Sequence, residues 1–321
     1  MSAKSGLETS DEVCASCGIA AVDDIKLKMC DGGCDLVKYC SDKCRDEHRE
    51  QHGDECKKRK VELHDKQLFT QPDSSHMGEC PICCLPLSLD PSKSMLNACC
   101  CKTICNGCLY ANARRENEQG LENRCVYCRE PAEIEQEESD RRLMKRIKKN
   151  DPVALMWVGT KRHAEGNYRK ALEYLTKAAE LGNMDAHCKL SMMYHSGDGV
   201  EKDEKKEVYH LEQAAIGGHP QARNNLSCKE VINSHIMGEQ LGDAKMKNDY
   251  LKRAAKHALI NANLGFDPSL KFVKNMFVQG IVSKEDYAAA LRGCQAAVDA
   301  TKSAERSTAE AFFGERLTRM R

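Results

Sequence analysis

Aromatic residues are scarce in this chain of 321 residues and make up only 5% of it. The first 130 residues contain just four of them, Tyr39, Phe69, Tyr110 and Tyr127. A segment of that length cannot build an ordinary apolar core from so few large side chains. We therefore expect something other than hydrophobic burial to stabilise the first part of the chain.

Two further absences narrow the class of protein. No segment has the apolar length that a membrane-spanning helix needs, and the polar start Met1–Gly6 predicts no signal peptide. Lys and Arg together number 49, as do Asp and Glu, so the formal net charge is zero. A neutral chain has no global attraction to nucleic acid or acidic membranes, and we expect neither as a partner.

Cysteine is what the sequence has in excess. There are 20 cysteines, and 17 of them precede residue 129. We expect a cytoplasmic or nuclear protein, where thiols stay reduced and clustered cysteines bind metal instead of forming disulfides. A structural zinc site contributes roughly 10–16 kcal/mol to folding, which can replace the missing core.

The first cysteine-rich block carries eight potential metal ligands in pairs: Cys14, Cys17, Cys30, Cys34, Cys40, Cys44, His52 and Cys56. Two or three residues between thiols form one tight turn, which lets both sulfurs face a single tetrahedral ion. The i,i+4 spacings of Cys40 with Cys44 and of His52 with Cys56 predict that each pair shares one face of a helix. Free thiols or disulfides are the alternative, which so many regular pairs disfavour.

This block resembles the MYND-type zinc finger over its whole length. In that family the pairs interleave, so the first and third hold one zinc ion and the second and fourth hold another. The resemblance implies one site of Cys14, Cys17, Cys40 and Cys44, and a second site of Cys30, Cys34, His52 and Cys56. The family often binds proline-rich peptides through a Gln and a Trp, but Arg45 and Arg49 occupy those positions here. The resemblance thus supports zinc binding more than that mode of peptide binding.

A second cysteine-rich block has three Cys-x2-Cys pairs around the run Cys99-Cys100-Cys101. Over residues 78–131 it resembles an all-cysteine RING domain. The family's cross-brace implies one site of Cys80, Cys83, Cys105 and Cys108, and a second that joins Cys125 and Cys128 to two of the central three. Similar RING-like chains favour Cys99 with Cys100, and Cys101 is the rival. The two blocks together imply four zinc ions.

RING domains often recruit a ubiquitin-conjugating enzyme, and this resemblance implies two contact residues. Ile82 matches the apolar position inside the first pair, and Arg129 matches the arginine that follows the last ligand. Val126 stands where proline is usual, and the helical stretch between the second and third pairs, Tyr110–Arg115, is polar and has no tryptophan. An active ligase and an inactive interaction module therefore both stay open, because a fold does not determine function.

The rest of the chain predicts helices. Residues 133–149 run from acidic to basic and predict one exposed helix with an apolar stripe. Ala178-Ala179-x2-Gly182 recurs as Ala214-Ala215-x2-Gly218, an internal repeat in which each glycine ends a helix. These residues resemble Sel1-like repeats, relatives of tetratricopeptide repeats, over 153–270. The resemblance implies stacked helix pairs with a concave face for a partner protein.

Several residues receive a structural interpretation. Cys84 is expected to be a spare small apolar residue, and Cys188, Cys228 and Cys294 are expected to be buried. Histidines without paired spacing are expected at the surface or in packing; they are His64, His76, His163, His187, His195, His210 and His219.

Together these features predict a mainly α-helical chain in which two cross-brace zinc fingers precede a helical repeat solenoid. The expected regions are a disordered leader (1–12), a MYND-type finger (13–57), a helical linker (58–77), a RING-like finger (78–131), a charged helical linker (132–152), Sel1-like repeats (153–282) and C-terminal capping helices (283–321). The chain is expected to bind proteins, either as a RING-type ubiquitin ligase whose repeats choose the substrate or as a non-enzymatic adaptor. A catalytic zinc enzyme is disfavoured, because four protein ligands leave no open position on the ion.

Overall fold

The computed structural model describes residues 13–21, 26–131 and 135–319. The expected disordered leader, residues 1–12, lies outside this range. The chain divides into two compact units between Thr70 and Gln71. The mainly α architecture with small cysteine-rich modules is confirmed.

The first unit contains a minimal hairpin and one long helix. Strands β1 (Lys28–Met29) and β2 (Lys38–Tyr39) are antiparallel, and Lys28 is paired with Tyr39. Helix α1 (Asp42–Leu68) follows, capped by Ser41, whose hydroxyl accepts the amide hydrogen of Cys44 at 3.3 Å. The helix therefore extends without a break from the finger into the segment expected to be a linker.

The second unit begins with the second cysteine-rich block. Strands β3 (Ser94–Asn97) and β4 (Lys102–Cys105) form an antiparallel hairpin, and α2 (Asn106–Glu118) follows directly. A 3-10 turn at Pro91–Lys93 precedes β3. Ten helices occupy most of the described remainder: α3 (Gln136–Ile147), α4 (Pro152–Ala164), α5 (Tyr168–Glu180), α6 (Met184–Ser196), α7 (Glu204–Ile216), α8 (Pro220–His235), α9 (Ala244–Asn263), α10 (Asp267–Val278), α11 (Lys284–Ala300) and α12 (Ala304–Arg319).

The repeat helices pack against their neighbours in chain order because small residues line their contacts. Ala178, Ala179, Ala214 and Ala215 of the internal repeat are buried, and their small side chains let neighbouring helices approach closely. A Cβ atom on Gly159 of α4 would lie 2.8 Å from Cγ of Leu175 on α5, so these two helices approach too closely for a larger residue. The core of the stack is thus built from alanine, leucine and methionine.

Three features differ from the sequence-based expectation. A π-helical turn, Ile236–Gln240, joins α8 to α9 where the repeat pattern weakens. The charged helix α3 is only partly exposed, since Leu143 is buried against Ala154 and Val158 of α4. The C-terminal helix α12 does not extend the solenoid but packs on α2 of the second cysteine block. None of the helices in the described ranges combines the length and apolar character needed to cross a membrane.

Candidate metal centres

The first centre joins two distant parts of the first unit. A tight turn presents Cys14 and Cys17, while Cys40 lies just before α1 and Cys44 lies in its first turn. The four sulfurs lie within 4.8 Å of one another. The Cys17–Cys40 and Cys40–Cys44 sulfur separations are both 3.6 Å. Zinc–sulfur bonds of about 2.3 Å in a tetrahedron give an edge of about 3.8 Å. The observed spacing therefore suits one tetrahedral ion.

The second centre lies at the tip of the hairpin and in α1. Its ligand atoms, from Cys30, Cys34, His52 and Cys56, also lie within 4.8 Å of one another. Cys30 and Cys56 sulfurs are 3.7 Å apart, and Cys34 Sγ is 3.1 Å from His52 Nε2. The helical spacing predicted for His52 and Cys56 is confirmed, because both lie in α1. The helical prediction for Cys40 is wrong, since α1 begins only after its cap at Ser41.

The thiols of the first centre cannot all ionise side by side without a cation. Although burial opposes it, hydrogen bonds from the backbone amides of Cys17 and Cys40 lower the pKa of Cys14 to about 6. The neighbouring sulfurs of Cys17 and Cys44 raise the pKa of Cys40 to about 12. Each further thiolate is thus disfavoured by the first, and a divalent ion among them removes that penalty.

The second cysteine block forms two more clusters. Cys80, Cys83, Cys105 and Cys108 meet in one, where the Cys80–Cys108 and Cys83–Cys105 sulfurs are 3.9 and 3.8 Å apart. Cys99, Cys100, Cys125 and Cys128 meet in the other, with separations of 3.9 Å for Cys100–Cys125 and 3.4 Å for Cys99–Cys128. The structure thus brings together the four sets that the two resemblances imply.

Cys100 and Cys101 have different surroundings although they are adjacent in sequence. The sulfur of Cys100 faces Cys125, whereas Cys101 is buried among the apolar side chains of Leu143, Ala154 and Val158. In these surroundings the Cys101 thiol acts as a small apolar residue. Cys101 has left-handed backbone geometry, with φ of 53°, which turns its side chain away from its neighbour's.

The residue after three of the four Cys-x2-Cys pairs has a shared backbone role. Gly18, Cys84 and Arg129 all have positive φ, and each donates its amide hydrogen to the carbonyl of the first cysteine of its turn at 2.8–2.9 Å. The predicted small apolar role of Cys84 is wrong, because its side chain is exposed. Cys228 is also exposed, while Cys188 and Cys294 are buried as expected.

The two residues proposed to contact a conjugating enzyme are in different situations. Ile82 is 40% exposed at the tip of its turn. The Arg129 guanidinium donates to Asn112 Oδ1 at 3.3 Å and lies 3.5 Å from the carboxylate of Glu116, which is only 2% exposed. Arg129 therefore neutralises a buried acid within its own block.

Arg306 of α12 is a functional candidate that sequence analysis missed. Its guanidinium donates to the carbonyls of Leu85 and Pro86 at 3.2 and 2.7 Å and lies 3.4 Å from the sulfur of Cys83. Burial opposes ionisation of Cys83, but the amide of Leu85 and this guanidinium lower its pKa to about 7. The C-terminal helix thus contributes positive charge beside one cysteine cluster.

Comparison with known proteins identifies two modules. The sequence model of the MYND finger matches residues 14–56. That of the Sel1 repeat matches residues 152–183 and 185–219. The chain contains a MYND finger and Sel1 repeats. It is therefore a zinc-binding protein built from protein-interaction modules, and the cysteine clusters beyond the MYND finger are compatible with further zinc sites.

Among solved structures, a Sel1 repeat protein from Oxalobacter formigenes is similar at 21% identity and a TM-score of 0.40, covering 60% of this chain and 71% of that one. The protective antigen c5321 of uropathogenic Escherichia coli, which displays an SLR fold, is similar at 16% identity and a TM-score of 0.29. That match covers 65% of this chain and 52% of the antigen. No curated protein matches the chain.

Proposed function

We propose that this chain is a non-enzymatic adaptor that binds partner proteins through zinc-stabilised fingers and Sel1 repeats. The observation that carries the proposal is the grouping of its ligands into four closed sets of four, in which cysteine pairs distant in sequence come together. A closed set of four protein ligands leaves no position for a substrate or a reactive water. Zinc then has a structural role, and function lies in protein surfaces.

The proposal includes four zinc ions, a MYND finger at 14–56 and a RING-like finger at 78–131. The ligands are the four sets described above. Sulfur separations of 3.4–3.9 Å in the second block support tetrahedral zinc there as they do in the MYND finger. We place the protein in the cytoplasm or nucleus, where thiols stay reduced.

A ubiquitin ligase is the second candidate, with the repeats choosing the substrate. The exposed position of Ile82 favours it, because this apolar side chain is available to a conjugating enzyme. The contacts of Arg129 disfavour it, since the guanidinium is already engaged with Asn112 and Glu116. A RING acts by positioning the loaded enzyme and needs no nucleophile of its own.

A discharge assay separates the two functions. A panel of conjugating enzymes is loaded with ubiquitin, and the loss of thioester is followed with the intact chain and with its Ile82→Ala variant. We expect neither protein to accelerate discharge. Acceleration by the intact chain that Ile82→Ala abolishes would replace the adaptor with the ligase. Native mass spectrometry of the same samples should find the same zinc count, of at least four, in both, which shows that the variant is folded.

A further inference from the structure

Three residues outside the cysteine clusters form another group of metal-ligand type. His76 lies in the segment that leads to the second cysteine block, Asp185 is the second residue of α6, and His219 caps the start of α8. Their ligand atoms lie within 4.8 Å of one another. Spacing in the sequence does not indicate this group, because its three members lie far from one another in the chain.

The spacing within the group is that of ligands around an ion. Asp185 Oδ1 lies 3.4 Å from His76 Nε2 and 3.3 Å from His219 Nε2. Hydrogen bonds between an ionised donor and a carboxylate are shorter, at about 2.7–2.9 Å. A tetrahedral ion with bonds of about 2.0–2.1 Å to nitrogen and oxygen has edges of about 3.3–3.4 Å. Both separations match that edge.

The backbone holds His76 in this position independently of any ion. Its amide donates to the carbonyl of Gly218 at 3.2 Å. A Cβ atom on Gly218 would lie 2.5 Å from the carbonyl oxygen of Ser74, so the segment rests directly on the turn between α7 and α8. The two imidazole rings are stacked with centroids 4.2 Å apart. The group is therefore preorganised, which reduces the entropy lost on binding.

Charge and access also suit a divalent ion. The Asp185 carboxylate places a negative charge between the two imidazoles, which suits a cation. Both histidine side chains are 9% exposed and the aspartate is 42% exposed, so the carboxylate side is open to water.

Binding has one identifiable cost. His219 Nδ1 now accepts the amide hydrogen of Ala222 at 3.2 Å, so the ring proton is on Nε2. An ion at Nε2 moves that proton to Nδ1 and removes this helix cap. One cap is a small loss beside three metal–ligand bonds.

We propose that His76, Asp185 and His219 form an exchangeable binding site for a divalent transition metal, of which zinc is the best match. Two imidazoles and one carboxylate are ligands that zinc accepts, and a water completes the tetrahedron. Unlike the cysteine clusters, this site has an open position. A bound ion ties the segment before the second cysteine block to the Sel1 repeats.

Cobalt provides a direct test, because its spectrum distinguishes the ligands. Co²⁺ alone is titrated into the full-length chain after a weak chelator has emptied this exchangeable site and left zinc in the cysteine clusters. We expect one further equivalent to bind with visible d–d bands and without the near-ultraviolet thiolate charge-transfer band. Binding that shows the thiolate band, or no binding beyond the zinc already present, overturns the proposal.

Matched variants assign the site. His76→Gln, Asp185→Asn and His219→Asn each remove one ligand, and asparagine preserves the helix cap at 219. Loss of a supporting contact costs 10–100-fold in metal affinity, so loss of a ligand should weaken Co²⁺ binding by at least about 100-fold. His163→Gln is the control, because His163 pairs with Asp198 at 3.0 Å as a single imidazole. Binding that persists in all three variants, or that falls equally in the control, contradicts the assignment. Circular dichroism checks that each variant is folded.

Discussion

The MYND finger and the Sel1 repeats differ in the side chains that they bury. The small core of the finger contains Cys14, Tyr39 and Cys44, with few apolar residues around them. The first repeats bury Leu155, Leu175 and Leu190 with four alanines and a methionine. Thiols contribute little by hydrophobic burial alone, whereas apolar packing is sufficient for a helical stack. Stability in the finger therefore depends on a ligand from solution, and stability in the repeats depends on contacts within the chain.

Metal removal should have the largest effect, because it should unfold the MYND finger and leave the Sel1 repeats folded. A structural zinc site contributes roughly 10–16 kcal/mol to the free energy of folding, and a small finger that loses this contribution unfolds. We expect a strong chelator to abolish amide protection over residues 26–56, while helices α4–α7 keep theirs. Hydrogen exchange with mass spectrometry measures both in one sample. Protection of the finger that survives chelation contradicts the comparison, and chelator presaturated with zinc is the control.

Cys100 and Cys101 repeat this comparison within one dipeptide. We expect Cys100→Ser to lose one zinc ion, because its sulfur faces Cys125. Cys101→Ser should keep the full count and lose only about 1–3 kcal/mol, since it buries a hydroxyl among apolar side chains. Native mass spectrometry gives the count, and urea unfolding gives the stability. Loss of zinc in Cys101→Ser with retention in Cys100→Ser would exchange their roles.

A cavity in the repeat core should lower the stability of the repeats without changing the zinc content of the chain. Leu175 is fully buried at the close contact between α4 and α5. We expect Leu175→Ala to lower the free energy of unfolding by about 2–5 kcal/mol without changing zinc content. Leu181→Ala is the matched control, because Leu181 is 45% exposed. Equal losses in both variants would show that the repeat core does not carry the stability assigned to it.

Acid should weaken the repeats through a histidine pair, in which buried His187 and half-buried His210 lie 2.9 Å apart between their Nδ1 atoms. Burial, with the nearby His187 and Lys206, lowers the pKa of His210 to about 4, against 6.5 in the unfolded chain. The unfolded state then binds more protons below pH 6.5, so stability is fully present above that value and falls as the pH approaches 4. One such group costs at most about 2 kcal/mol between pH 6.5 and 5.

The His210→Phe variant measures this term by difference. Thermal unfolding of the full-length chain should fall less steeply with acid in the variant than in the wild type. Zinc loss at low pH affects both proteins and cancels in the difference. His235→Gln, which alters an exposed histidine on α8, is the control. Parallel profiles for wild type and His210→Phe would exclude the histidine pair as a source of acid sensitivity.

Local patterns in the sequence predicted much of this protein because they depend on neighbours in the chain. The turn between Cys14 and Cys17 and the helical pair His52 and Cys56 follow from spacing of a few residues. Asp203, an aspartate directly before a helical stretch, caps α7 and accepts the amide hydrogen of Lys206 at 3.0 Å. The repeat offset likewise predicted helix ends at Gly182 and Gly218, which both have positive φ.

Contacts between distant segments could not be predicted in this way. Which of Cys100 and Cys101 faces the other cysteines depends on a single backbone angle and on the apolar pocket that Leu143 provides. The contact of Arg306 with Leu85 and Pro86 depends on how the first turn of α12 packs against the second cysteine block.

The composition and spacing of this chain predicted metal ligands in place of an apolar core in its first part and stacked helix pairs in its second. Those properties are local, because a pair of ligands or a helix face is formed within a few residues. Tertiary packing alone placed His76 beside Asp185 and His219, and turned Arg129 towards Glu116. These contacts depend on how helices and the segments between them pack together, and no short stretch of sequence determines that packing.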